Sequence, residues 1–131
     1  MGKHDIILDN SSDWLLEQLY NAKKADYETY RIYKCLHRYF NDKRDFIGVA
    51  EEIIPGTLRF KPLNDLADDC FFSVTFFSSY IRSRSKRRGS PGVKFYSYTG
   101  KHAYTQIGYP AIAHNWQFWV SYINKHIKFN K

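Results

Sequence analysis

The stretch SPGVKFYSYTGKHAYTQI, residues 90–107, decides the fold class. Ser90, Pro91 and Gly92 signal a turn, after which Val93, Phe95 and Ser97 alternate with Lys94, Tyr96 and Tyr98. A two-residue period among β-branched and aromatic side chains is the pattern of a strand with one face covered. Thr99, Gly100 and Lys101 offer a second turn, and the chain from there to Ile107 reads as a returning strand or a short helix, the returning strand being the preferred reading. A β-hairpin in this position makes the protein α+β.

On either side of the hairpin the pattern is helical. Upstream, Asn64 or Asp65 caps a helix with Asp68 and Asp69 near its start, five Lys or Arg between Arg82 and Arg88 at its end, and Gly89 placed to stop it. Acids first and bases last complement the helix macrodipole. Leu66, Cys70, Val74, Phe77 and Ile81 trace one apolar stripe while Phe72, Phe76 and Tyr80 trace a second. A helix apolar on two faces lies in the middle of a core or under a partner. Downstream, Gly108 and Pro110 break the chain, and Pro110 suits the first turn of a last helix with Ile112, Trp116, Trp119, Val120, Ile123 and Ile127 on its apolar face.

Toward the other end, the Asn10 to Asp13 cluster precedes a short helix over Ser12 to Ala22. A second helix runs from Asp26 to Phe40 with Ala25, Ile32, Leu36 and Tyr39 on one side. Asn41 to Arg44 reads as a turn, and a short helix over Phe46 to Ile53 ends at Pro55 and Gly56. His4 to Asp9 and Thr57 to Lys61 read as short strands. The expectation is therefore one basic α+β domain over residues 1–131, mainly helical with about four helices, a hairpin in its C-terminal half and one or two further short strands. No linker divides it.

Charge is distributed unevenly. The net charge is +7, yet all 13 acidic residues lie between Asp5 and Asp69. Residues 71–131 hold ten Lys or Arg and no Asp or Glu, together with 15 of the 24 aromatic residues. Soluble surfaces ordinarily intersperse both signs, so an acid-free basic half implies an acidic partner. Cations neutralise phosphates and flat rings stack on bases, so the combination points to nucleic acid.

The tract Arg82, Arg84, Lys86, Arg87 and Arg88 is the sharpest local feature and suits a phosphate backbone. The expected hairpin adds Lys94, Tyr96 and Tyr98 on one face and Lys101, His102 and Tyr104 around its turn. These eleven residues form the expected nucleic-acid-binding site. Lys24, Tyr27, Arg31, Lys34 and Arg38 recur at helical steps and make a second phosphate-facing stripe, set against an ordinary solvated face.

Catalytic signals are sparse. His102, His114 and Lys101 supply an acid and base for a metal-independent ribonuclease, and Asp65, Asp68 and Asp69 are the carboxylates nearest to a metal cluster, though they serve equally as helix-start residues. Arg31 and His37 are spaced in a way that resembles the Arg/His pair of HEPN ribonucleases, but the polar residue that follows the Arg in that family is Ile32 here. No phosphate-binding Gly loop, nucleophile elbow or HExxH pair is present, and no cofactor is implied. Cys35 and Cys70 lack zinc-ligand spacing and read as buried thiols of a reducing, cytoplasmic setting. The start is too short in apolar residues for a signal peptide, Ile6 stands where a myristoylation signal needs Ser or Thr, and Cys70 to Ile81 is too short to span a bilayer.

The leading expectation is a nonenzymatic nucleic-acid-binding protein, RNA or DNA. The alternative is an inhibitor or adaptor, of the kind a phage or mobile element carries, docking on an acidic protein surface, and composition does not separate the two. A small metal-independent ribonuclease is the third reading.

Overall fold

The computed structural model describes residues 14–42, 62–89 and 92–127, and among these it is entirely helical. Six helices follow one another in the described residues. They are α1 (residues 14–20), α2 (Asp26–Asp42), α3 (Leu63–Arg88), α4 (Val93–Gln106), α5 (Pro110–His114) and α6 (Trp116–His126).

The expected hairpin is α4, so the α+β assignment is corrected to all-α for the described residues. Its buried residues are Tyr96, Gly100, Ala103 and Tyr104, spaced as one face of a helix and not as alternate residues of a strand. Gly100 is the reason. A Cβ there would sit 2.9 Å from the Cβ of Cys70 on α3 and 2.8 Å from Cζ3 of Trp116 on α6. The glycine that resembled a turn residue instead lets three helices approach closely, and their packing outweighs the β propensity of the neighbouring residues. The expected strands at His4 to Asp9 and Thr57 to Lys61, and the short helix at Phe46 to Ile53, lie outside the described residues.

α3 and α4 form an antiparallel helical hairpin. Ser85 lies beside Gly92, Cys70 faces Gly100 and the Tyr104 hydroxyl reaches Asp68, which sets the register from tip to base. Gly89 ends α3 at φ 66°, in the left-handed region, and its N–H donates to the Ser85 carbonyl at 2.9 Å. The start of α3 differs from expectation, since Pro62 occupies the cap position and neither Asn64 nor Asp65 caps the helix. α4 ends in a Schellman arrangement around Gly108 (φ 96°). The Tyr109 N–H donates to the Tyr104 carbonyl and that of Gly108 to the Thr105 carbonyl.

α3 is the central helix and touches α2, α4 and α6. Leu66, Ala67, Cys70, Phe71, Phe72, Val74 and Ile81 are buried along it, as a helix apolar on two faces requires. It is kinked at Phe77, where φ −128° and ψ 25° leave the helical region. Beside the kink Thr75 donates to the Phe71 carbonyl and Ser78 to the Val74 carbonyl. Hydroxyls bonded one turn back in this way loosen the backbone ladder and bend helices. α2 begins with Asp26 and Glu28 in its first turn, favourable at the positive end of the dipole, and buries Ile32, Leu36 and Tyr39. It continues through Asn41 and Asp42, where a turn was expected.

The last expected helix is two. All six residues of its apolar face are buried, but Asn115 (φ −98°, ψ 19°) separates α5 from α6. Asn115 donates from Nδ2 to Oε2 of Glu28 at 2.9 Å, and Trp119 donates from Nε1 to the same oxygen at 2.6 Å. The Tyr122 hydroxyl donates to the Gln18 carbonyl at 2.7 Å. The first two helices are thus clasped to the last.

Candidate nucleic-acid interface

The end of α3 and the outward face of α4 carry the residues expected to grip nucleic acid. Arg82, Lys86 and Arg87 are exposed on the last turns of α3, and Lys94, Tyr98, Lys101 and His102 are exposed along α4. The α4 residues fall at steps of three, four and seven, so they share one side of the helix. Tyr98 is 72% exposed, and its ring lies parallel to His102 with centroids 6.3 Å apart, presenting a flat polar-edged surface one turn long. The Arg88 side chain lies outside the described residues.

Two of the expected base-contacting tyrosines face the interior. Tyr104 is fully buried and its hydroxyl donates to Asp68 Oδ1 at 2.7 Å. Tyr96 is buried in the α3–α4 seam. Burial pushes its hydroxyl above the usual tyrosine range, and the charge of the neighbouring Arg84 opposes that rise. Arg84 is only half exposed and is accordingly turned toward this seam. Among the described residues, then, Tyr98 is the tyrosine of the expected set that a ligand can reach.

The second expected stripe is mostly consumed within the molecule. Arg31 is buried and pairs with Asp68 Oδ1 at 2.9 Å, with its guanidinium over the rings of Tyr104 and Tyr109. Arg38 pairs with Asp65 at 2.9 Å and approaches Asp68 at 3.6 Å. Lys24 caps the ring of Phe118 at 4.4 Å. Lys34 stays exposed, above Tyr30. Three of the stripe's four cations therefore have structural partners, while Tyr27 and Tyr30 remain exposed, Tyr27 stacked on Tyr109 and Tyr30 on Tyr33.

The same network accounts for the carboxylates. Asp65 and Asp68 hold Arg38 and Arg31, as above. Asp69 is fully buried, and burial raises its carboxyl to about 7 against the opposing charge of Arg38. Cys35 sits beneath the network with its thiol on the Asp68 carbonyl, and burial pushes it well above the usual thiol range. Both cysteines are buried. Among the described residues no group of three His, Cys, Asp or Glu side chains is disposed to hold a metal ion. His102 and His114 are each exposed, on α4 and α5, and Arg31 is committed to Asp68 while His37 lies against Tyr33.

A further feature escaped the sequence reading. An open cleft of about 600 Å³ lies between the second half of α3 and α6, lined by Thr75, Ser78, Ser79 and Arg82 from one and Gln117, Ser121, Asn124 and Lys125 from the other. Both sets repeat at helical steps, and that shared period was the signal available in the sequence. No helix of the described residues is long and apolar enough to cross a membrane.

Compared with protein-family models, curated proteins and solved structures, the chain has no match in any of the three.

Proposed function

We propose that the protein binds nucleic acid without acting on it chemically, gripping the phosphate backbone with the α3–α4 hairpin. The observation that carries the reading is the segregation of charge in three dimensions. Arg31 and Arg38 are tied to Asp65 and Asp68 in ion pairs. Arg82, Lys86, Arg87, Lys94 and Lys101 have no such pair among the described residues and stand exposed on helices whose sequence from residue 71 onward has no carboxylate. Phosphate neutralises such a surface with release of counterions, and Tyr98 adds a ring on which an unpaired base stacks.

The test is a salt titration of binding to labelled single-stranded RNA, single-stranded DNA and duplex, by fluorescence anisotropy. Neutralising Lys86, Arg87 and Lys94 together to Gln is expected to reduce the slope of log affinity against log salt by roughly 2–3, because each lost phosphate contact removes about 0.7–0.9. The loss is expected for every sequence alike, since backbone contacts carry no sequence information. Undiminished binding at matched salt, or no binding by the parent protein to any of the three probes, sinks the proposal.

A further inference from the structure

The cleft between α3 and α6 is a second polar surface with a chemistry of its own. Arg82 and Lys125 supply its charge, and no carboxylate lines it. Its hydrogen-bonding groups divide into two kinds. Ser78 donates its proton to the Val74 carbonyl one turn back, so what it offers the cleft is lone pairs, while the Thr75 hydroxyl is buried and committed to the Phe71 carbonyl. Lys125 offers N–H groups, Asn124 offers both N–H groups and a carbonyl oxygen, and Ser121, which accepts from Gln117 at 3.1 Å, keeps its own proton to give.

A bare inorganic anion uses only the donors, and the acceptors would repel it. A neutral sugar uses donors and acceptors but gains nothing from two cations. The ligand that satisfies both kinds of group carries a phosphate and free hydroxyls on one small frame, and a volume near 600 Å³ falls in the range of small-molecule sites. We infer that the cleft binds a phosphorylated ribose or deoxyribose, with the phosphate held by Arg82 and Lys125 and the sugar hydroxyls by Ser78 and the side-chain carbonyl of Asn124. The sugar phosphate comes either from a free nucleotide or from the phosphorylated end of a strand. The inference extends the nucleic-acid reading to a particular part of the polymer, yet it stands on cleft residues that the backbone-grip test leaves untouched.

The experiment is titration of the protein with ribose 5-phosphate, adenosine 5′-monophosphate, inorganic phosphate and adenosine, followed by NMR shifts of the Ser121 and Asn124 amides and by calorimetry. Ribose 5-phosphate and the nucleotide are expected to shift both amides and to bind about tenfold or more tightly than inorganic phosphate or adenosine. Lys125→Gln is expected to weaken both by about tenfold, and Ser121→Trp, at an exposed position, to abolish them by filling the cleft. Asn124→Asp, also at an exposed site, repeats the test without added bulk and is expected to weaken binding comparably. The Lys86, Arg87 and Lys94 triple variant is expected to retain sugar-phosphate binding in full, which separates failure of the cleft from failure of the backbone grip. Equal affinity for inorganic phosphate and ribose 5-phosphate overturns the inference and leaves an anion site only. Sugar-phosphate binding that is indifferent to all three cleft variants overturns it as well. A short strand ending in a 5′-phosphate that competes with the nucleotide, while the same strand ending in a hydroxyl does not, identifies the strand end as the source.

Discussion

Asp68→Ala is expected to destabilise the protein by about 3–5 kcal/mol, the usual consequence of removing one member of a buried ion pair and leaving the other charge behind. One oxygen of Asp68 accepts from both Arg31, at 2.9 Å, and the Tyr104 hydroxyl, at 2.7 Å. Both partners are buried, so neither finds water when the carboxylate is gone. α2, α3 and α4 each contribute one of these residues, and the loss is felt in all three contacts between helices. The direct measurement is urea unfolding followed by circular dichroism. The double variant Arg31→Met, Asp68→Leu is expected to recover most of the loss, since an apolar pair of similar size removes the stranded charge. A loss below about 1 kcal/mol in Asp68→Ala would show that the pair is solvated like a surface salt bridge.

Asp69, the next residue, is expected to make stability fall as pH rises. Its folded carboxyl is raised to about 7 because burial penalises the charged form, with Arg38 opposing. The unfolded chain ionises near the ordinary value of about 3.9. A raised folded value means that the native state holds the proton more tightly. The stabilisation is therefore fully present below about pH 4 and is lost as pH rises through about 7. At about 1.4 kcal/mol for each unit, the whole span is worth roughly 4 kcal/mol. Asp69→Asn keeps the shape and cannot ionise. Unfolding free energies of the two proteins compared at pH 5 and pH 8 are expected to diverge, with the asparagine variant the more stable at pH 8. Parallel profiles would mean that Asp69 is ionised in the native protein throughout.

These two aspartates also mark the boundary of what was legible in the sequence. As letters they are helix-start residues, and Arg31 and Arg38 are members of a solvated stripe. The pairing of Arg31 with Asp68, and of Arg38 with Asp65 across 27 residues, is invisible to any local pattern. The features that did come through were those written within one element. They include the start of α2 at Asp26, the end of α3 at Gly89, the six buried residues after Pro110 and the segregation of acidic from basic residues. The hairpin failed because Val93 to Tyr98 satisfies both a strand period and, once Gly100, Ala103 and Tyr104 are added, a helical one. Only contact with Cys70 and Trp116 decides between them. Of the expected site, Arg82, Lys86, Arg87, Lys94, Tyr98, Lys101 and His102 stand at the surface. Tyr96 and Tyr104 do not, because aromatic residues on a helix packed against a central neighbour are drawn into the seam.

The clasp between Glu28 and the last helix carries a consequence for the time course of folding. Trp119 and Asn115 meet Glu28 across 91 and 87 residues, and Tyr122 meets Gln18 across 104. The α3–α4 hairpin needs only the short connection from Gly89 to Gly92. Closing a long loop costs more chain entropy than closing a short one, so the hairpin is formed early and the clasp late. Bonds made after the rate-limiting step govern how fast a protein comes apart and not how fast it assembles. Glu28→Gln should accordingly quicken unfolding while leaving the refolding rate nearly unchanged; a slowed refolding rate would reverse the order. The lifetime of the folded chain is then set where α1 and α2 meet the segment from Asn115 into α6, and not in the α3–α4 hairpin that carries the exposed cations.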